Sequence, residues 1–320
     1  MDSKQKLLLS RRFTSFEELV ASVVAWDLNL RQVSRNYSDT TLEQFQVGKI
    51  LVSHLTCGCF ATHAGATPKG MYTVAVPDPA CPEFRYSGRP VDRPAMIVAR
   101  EGEEFNLITR PGYGIFTFSV PQIILEEYCE KQSEYSLGSL QKFRNEIIFV
   151  DPDSVMNLIL AARAITGSVN QLSDMPGPPG SVRSLESNLL EHVFNSLPYG
   201  NRSRKEPDAT TCARIFGQAL DVINDHEHEP LIIPDLAAAV NTTERTLERA
   251  FNRELGISPK KYLLAQRMSG VHKDLWRSTA SETSVADIAN AWGFWHMGQF
   301  AKDYRSFFDE LPSETLRRSA

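Results

Sequence analysis

The chain has no long apolar run. None of its 320 residues lies in a stretch of 18 or more consecutive apolar side chains, so we expect no membrane-spanning helix. The amino terminus, MDSKQKLLLSRRF, has only three consecutive leucines, too few for the apolar part of a secretory signal. With 42% hydrophobic and 23% charged residues, the composition is typical of a globular protein. These features predict a cytoplasmic protein with no membrane partner.

Cysteine and histidine are also sparse. The five cysteines are odd in number and irregularly spaced, and Cys57-Gly58-Cys59 lacks the two-residue gap of zinc and redox pairs, which favours reduced thiols. Residues 1–125 contain only His54 and His63, with no obvious third ligand. We therefore expect no metal site and no cofactor, and expect each histidine to be a surface or hydrogen-bonded residue.

The amino-terminal half contains no G-x-S-x-G, P-loop or dinucleotide-binding fingerprint. This favours a protein that is not an enzyme. The alternative is an enzyme whose amino-terminal half is catalytic and whose carboxy-terminal part is a targeting appendage. Stoichiometric metal or cofactor in the purified protein would favour that alternative.

The chain lacks an overall basic charge, since its net charge is −5. The local balance differs: from Thr242 to Ser278 there are eight basic and four acidic side chains. An electrostatic field depends on where charges lie rather than on their sum, so this segment is a candidate for contact with nucleic acid. The overall acidity predicts weak non-specific binding and a need for specific contacts or dimerisation.

One pattern occurs twice near the carboxy terminus. Asp287–Trp292 is followed by a glycine and by apolar positions at helical spacing from about His296, which predicts a helix, a turn and a second helix. Asp235–Val240 begins the earlier copy. A proline closes each unit, eight residues after an aromatic side chain (Phe251 to Pro259, Tyr304 to Pro312). Two such units predict two helix-turn-helix motifs joined by one long helix, Pro259–Trp276.

The segment from about Thr211 to Arg318 resembles the DNA-binding domain of the AraC/XylS family of bacterial transcription regulators. The strings LAAAVNTTERTLERAFNRELGISPKKYL and VADIANAWGFWHMGQFAKDYRSFFDELPSETL carry this resemblance, which covers about a third of the chain. Within this family, the string WGFWHMGQFA most resembles the ethanolamine-operon activator branch. Three positions depart from the family pattern: Lys302 replaces an arginine, Asp309 a glycine and Thr315 a tyrosine.

The outward faces of the two second helices supply the candidate DNA-contacting residues. Thr243 is the expected N-cap of the first, and by position in the family pattern Arg245, Glu248 and Arg249 are the expected base readers. Arginine can bind guanine O6 and N7, glutamate can accept from cytosine N4, and glutamine can pair with adenine. Each such residue has a solvated charge or a phosphate contact as its alternative. The full candidate set is Thr243, Arg245, Glu248, Arg249, Asn252, His296, Met297, Gln299 and Lys302.

Short β-branched or aromatic runs between roughly Leu28 and Val120, separated by glycine, proline and aspartate, predict an antiparallel barrel or sandwich. Three helices are expected after it, over Ile123 to about Phe149, Asp153–Ile165 and Ser184–Leu197. The helix at Ser184–Leu197 either packs in the core or serves as a dimerisation helix. The expected fold class is thus α+β, with a domain at 1–200, a linker at 201–208 and an all-α domain at 209–320.

The resemblance implies a cupin-like amino-terminal domain that binds a small-molecule effector. It further implies double-stranded operator DNA and RNA polymerase as partners, with a homodimer as an option. Likeness to the ethanolamine branch suggests a small amine or a cobalamin as effector. The predicted function is a sequence-specific transcription regulator, most simply an activator, whose effector shifts the population of DNA-competent orientations.

Overall fold

The computed structural model describes residues 6–34, 39–131, 146–172, 181–196, 211–226 and 231–318. Two antiparallel sheets and helices make up the described residues before 197, and helices alone make up those described from residue 211. The α+β class is confirmed, and the amino-terminal sheets form a sandwich rather than a closed barrel. Expectations for residues 132–145 (with Leu137, Leu140 and Phe143), for the loop at 173–180 and for the linker at 201–208 lie outside the described residues.

The larger sheet has seven strands in the order β1-β3-β4-β11-β6-β9-β12, all pairs antiparallel. The smaller has five, in the order β2-β5-β10-β7-β8. The strands are β1 Lys6–Phe13, β2 Asp27–Gln32, β3 Thr40–Val47, β4 Ile50–Cys57, β5 Ala61–Ala66, β6 Met71–Pro77, β7 Phe84–Tyr86, β8 Arg89–Val91, β9 Ala95–Ala99, β10 Glu104–Thr109, β11 Tyr113–Pro121 and β12 Glu146–Phe149.

The helices divide between the two halves of the chain. Those of the amino-terminal half are α1 Phe16–Ser22, α2 Gln122–Lys131, α3 Pro152–Leu172 and α4 Ser181–Ser196. Those of the carboxy-terminal half are α5 Thr211–Asp225, α6 Ile233–Ala239, α7 Glu244–Leu255, α8 Pro259–Arg277, α9 Val285–Ala291, α10 Met297–Phe308 and α11 Pro312–Arg318. Among the described helices, none combines the length and the apolar character that crossing a bilayer requires.

The seven-stranded sheet is buried on both faces. One face packs against the five-stranded sheet through side chains such as Leu42, Ile97 and Ile115. The other packs against α2, α3 and α4 through alternate side chains such as Phe45 and Phe118. This explains why its strands read as nearly continuous apolar runs, since a strand exposed on one face would alternate with polar residues.

The run from Gln46 to Leu55 forms a tight hairpin of β3 and β4, and Gly48 turns it with a φ of +60°. One sequence expectation was wrong in this half. The end of the expected helix over Ile123 to Phe149 is strand β12, which pairs with β9. The short apolar run that follows Glu146 fits either element, and pairing with a distant strand decided between them.

The helix expected at Ser184–Leu197 is present as α4. Leu189, Leu190, Val193 and Phe194 are at most 4% exposed and pack into the core beneath the seven-stranded sheet. Core packing is therefore confirmed for the apolar face of this helix. A homodimer, which stays a prediction, must use another surface.

Candidate nucleic-acid interface

The first helix-turn-helix unit consists of α6, a short turn and α7. Asn241 adopts a φ of +50° in the turn, a conformation that asparagine tolerates better than most residues. Thr243 caps α7, because its Oγ1 accepts a hydrogen bond from the Thr246 N–H at 3.2 Å. Gly256, with a φ of +74°, ends the helix in a left-handed turn. The predicted unit and its cap are confirmed.

The inner face of α7 holds this unit in place. Leu247, Ala250 and Phe251 are fully buried in a cluster shared with α5, α6 and the start of α8. Because residues three and four apart share one face of a helix, the opposite face is left to solvent. The candidate DNA contacts Thr243, Arg245, Glu248, Arg249 and Asn252 are all exposed on α7 or at its cap.

The second unit has the same arrangement of two helices joined by a turn, formed here by α9 and α10. Ser284 and Asp287 form a reciprocal capping box at the start of α9. Gly293 turns the chain with a φ of +77°. Asp309, where the family pattern has glycine, adopts a φ of +60° and ends α10 in the expected left-handed turn. Thr315, where tyrosine is usual, is buried, and its hydroxyl lies 2.8 Å from the Tyr304 hydroxyl.

The candidate contacts on α10 divide into two groups. His296, Gln299 and Lys302 are exposed, and His296 is the N-cap residue although its side chain makes no capping hydrogen bond. Met297 is only half-exposed and packs against the apolar core of the second unit, so it does not face fully outward as expected. Its contact with DNA stays a prediction.

The two units are joined by α8, which contributes side chains to both apolar clusters. Its 19 residues at about 1.5 Å each give a rod of roughly 28 Å. That length is of the order of one helical turn of DNA, the separation at which paired recognition helices meet successive major grooves. The predicted connecting helix is confirmed, one residue longer than expected.

Replacing Gly270 by alanine should destabilise the second unit. A Cβ at Gly270 would lie 2.2 Å from the buried Trp292 ring. Overpacking costs about 1–3 kcal/mol, more than the roughly 1 kcal/mol that alanine gains over glycine in a helix. We expect a lower thermal unfolding temperature. The matched control is Gly217→Ala on α5, where a Cβ meets no atom within 4 Å. A Gly270→Ala protein as stable as that control would show that this packing is unimportant.

Buried polar contacts dock the helical domain onto the sandwich. Arg85 of β7 forms an ion pair with Glu254 of α7, and the Glu254 side chain is only 1% exposed. Gln32 of β2 donates to the Phe307 carbonyl at 3.0 Å, and the Ser269 hydroxyl donates to the Gln32 carbonyl at 3.0 Å. The sequence reading missed this interface. Its signal was a glutamate at a core-facing helical position, which requires a buried partner.

A second ionic cluster centres on His272 of α8. Its Nδ1 lies 3.0 Å from Glu17 of α1, and its Nε2 lies 3.4 Å from Glu310, which also pairs with Arg318. Burial lowers the pKa of His272, but the two carboxylates outweigh burial and raise that pKa to about 9. The imidazolium therefore links the amino-terminal helix to the end of the second unit at neutral pH.

Alkaline pH should weaken this linkage. A group whose pKa is higher in the folded state stabilises that state below its unfolded pKa, near 6.5, and loses this contribution as pH rises through about 9. We expect the wild-type protein to lose on the order of 1–3 kcal/mol more unfolding free energy between pH 7 and 10 than His272→Gln. Urea unfolding of both proteins at the two pH values measures the difference. Identical pH dependence of the unfolding free energy in the two proteins would show that the charge of His272 does not stabilise the fold.

The two histidines of the sandwich are hydrogen-bonded, as expected. His54 Nε2 lies 2.9 Å from Asp78, and His63 Nε2 lies 3.0 Å from the Thr109 hydroxyl. In the part of the chain that the structure describes, no three His, Cys, Asp or Glu side chains gather as a metal site would require. All five cysteines are free thiols.

Tandem helix-turn-helix units with solvent-facing second helices define the carboxy-terminal part as a DNA-binding domain of a transcription regulator. Comparison with known proteins agrees: residues 236–318 match the family model described as a helix-turn-helix domain. The chain is 37% identical over 129 residues to a probable thc operon regulatory protein of Rhodococcus erythropolis, covering 40% of this chain and 39% of that protein. It is 25% identical over 203 residues to XylDLEGF operon transcriptional activator 3 of Pseudomonas putida, covering 63% of this chain and 59% of that protein.

A crystal structure of a probable AraC family transcriptional regulator from Rhodopseudomonas palustris is 34% identical in sequence. The match covers 33% of this chain and 97% of that one, with a TM-score of 0.31. The chain spans less than two thirds of the length of the curated relatives named above. It belongs to the AraC/XylS family of transcriptional regulators.

Proposed function

We propose that this protein is an activator of transcription in the bacterial cytoplasm that binds one DNA duplex with both helix-turn-helix units. One observation carries the proposal: α7 and α10 bury one face in separate apolar cores and leave the opposite face, with its charged and amide side chains, exposed. Arg245, Glu248, Arg249 and Gln299 on those faces have the chemistry of base readers. RNA polymerase is the partner that activation requires.

The response to a small molecule is the second part of the proposal. The cavity between the two sheets, lined by Trp26, Tyr86 and Phe105, holds only about 80 Å³. Small-molecule pockets usually measure about 300–1,000 Å³, so an effector there requires the sandwich to open. A cleft of about 530 Å³ lies between the domains, bordered by α1 and α8. Its volume favours the cleft as the effector site.

The cleft carries charged side chains of both signs. Glu17, Glu18 and Glu310 line it together with His272, Arg277 and Arg318, and with the aromatic side chains of Trp276 and Phe308. Because Glu17 and Glu310 already pair with the His272 imidazolium, a small amine has to compete with that cation for the carboxylates. A cobalamin is too large for the cleft. Since both domains border it, a ligand bound there has different contacts when the domains move, which is the condition for shifting a conformational equilibrium.

Selection of DNA tests the proposal. The full-length protein would be incubated with a library of random 40-base-pair duplexes, and bound molecules would be amplified and sequenced. We expect an enriched sequence with two short elements about one helical turn apart. Failure to enrich any sequence at moderate salt would contradict the proposed function. A thermal-shift screen of small amines, followed by footprinting with any stabilising compound, tests the response to an effector.

We also propose that the protein is not an enzyme. The contacts described around the cleft are ion pairs and packing contacts between the domains. Metal analysis of the purified protein tests the alternative of a catalytic amino-terminal domain, since one bound metal ion per chain would favour it.

A further inference from the structure

The turn that leads into α10 carries an unusually exposed aromatic side chain. Trp295 is 72% exposed, more than any other large apolar residue in the part of the chain that the structure describes. A tryptophan left in water forgoes the burial of a large apolar surface, and tryptophan is enriched among the residues that dominate binding interfaces. A single exposed apolar residue is ordinary, so its position must decide whether it has a role.

The backbone around Trp295 is fixed. Gly293 turns with a positive φ, and the Phe294 N–H donates to the Ala289 carbonyl at 2.9 Å. The Phe294 ring packs on Phe300, with ring centroids 5.1 Å apart, and the Arg267 guanidinium carbon lies 5.2 Å from the Phe294 ring centroid. Phe294 is therefore anchored inward, and Trp295, the next residue, is held outward. The exposure of the indole follows from a well-packed turn.

Trp295 also lies at the amino-terminal end of α10, the helix that is proposed to enter the major groove. It immediately precedes His296, the N-cap of α10, and exposed Gln299 lies one turn further along. Recognition helices approach the major groove with their amino-terminal residues. The exposed indole is next in sequence to the candidate contact His296 and four residues before the candidate contact Gln299, which is also exposed.

Resting on the proposed function, we infer that Trp295 is a specificity-determining residue that packs against a thymine methyl group and the adjoining deoxyribose in the DNA site of the second unit. The apolar groups that a major groove offers are the thymine C5-methyl groups, and apolar side chains distinguish thymine by contacting them. The indole buries its apolar surface only when DNA is bound.

The test uses the full-length protein and the duplex selected by the wild type from the random library. Dissociation constants would be measured for wild type, Trp295→Phe and Trp295→Ala, with each thymine of the duplex replaced in turn by uracil, which lacks the methyl group. We expect Trp295→Ala to bind about tenfold more weakly and Trp295→Phe to retain part of the affinity. At one thymine, uracil should weaken wild-type binding about threefold or more while leaving Trp295→Ala unaffected.

Each result has a distinct meaning. If Trp295→Ala binds the selected duplex as tightly as wild type, the inference is wrong, and a loss confined to transcription in vitro would assign the indole to a protein partner instead. A weakened variant with no methyl-sensitive thymine would overturn the thymine contact in favour of the DNA backbone. If the wild type selects no duplex, the proposed function itself fails. Because Trp295 is exposed, the variants should unfold at the wild-type temperature, and that measurement excludes misfolding.

Discussion

Replacing Arg85 by methionine should release the helical domain from the sandwich. In the docked state the Glu254 side chain is 1% exposed and faces the Arg85 guanidinium. Removing one partner of a buried ion pair leaves an uncompensated charge and costs about 3–5 kcal/mol. The domains can avoid this cost by separating, which returns Glu254 to water. We therefore expect a larger radius of gyration in small-angle X-ray scattering and a splitting of the thermal transition.

Two further variants make this result interpretable. Arg110→Met removes an exposed arginine from the loop before β11 and should leave the scattering curve unchanged. Arg85→Met combined with Glu254→Gln removes both charges and should recover much of the compact form, because no carboxylate is then left buried. An Arg85→Met protein as compact as the Arg110→Met control would show that this ion pair does not hold the domains together.

Replacing Arg249 by alanine should weaken binding to the selected duplex and broaden its sequence preference. Arg249 is exposed on the outward face of α7, opposite the buried Leu247 and Phe251. An arginine that binds guanine through two hydrogen bonds contributes about 1–3 kcal/mol of discrimination against other bases. We expect about 5- to 150-fold weaker binding, with specificity relaxed at one base pair. Gel-shift titrations on the selected duplex and its single-base variants measure both effects.

The control for Arg249 is an arginine of the same domain outside the proposed interface. Arg214 is exposed on α5 and donates to Gln218 at 2.9 Å. Arg214→Ala makes the same change in net charge and should leave the sequence preference as it is. If Arg249→Ala weakens binding equally on every sequence, and the salt dependence of binding falls by about one ion, Arg249 contacts phosphate instead of a base.

The carboxy-terminal domain could be predicted closely because its structure is encoded locally. The spacing of Leu247, Ala250 and Phe251 specifies one buried face, and Thr243 and Gly256 fix the ends of that helix. Positive φ values at Gly293 and Asp309 follow from residue types that tolerate left-handed turns. Such signals lie within a few residues of the structure they specify, so a single sequence is sufficient to read them.

The rest depended on contacts between distant residues. Strand β1 was not expected, since its neighbour in the sheet, β3, lies beyond both α1 and β2 in the chain. Strand β12 was taken for helix because its pairing with β9 spans about fifty residues. The docking of the domains through Arg85 and Glu254 joins positions still further apart, and nothing in either local sequence names its partner. These are the features that tertiary packing decides.

The central claim is that both recognition helices read one duplex, and hydroxyl-radical footprinting of the selected duplex tests it most directly. Wild-type protein should protect two patches about one helical turn apart on the same face of the DNA. Arg249→Ala should weaken protection in one patch, and Gln299→Ala in the other. A single protected patch, with both variants acting on it alike, would contradict the account.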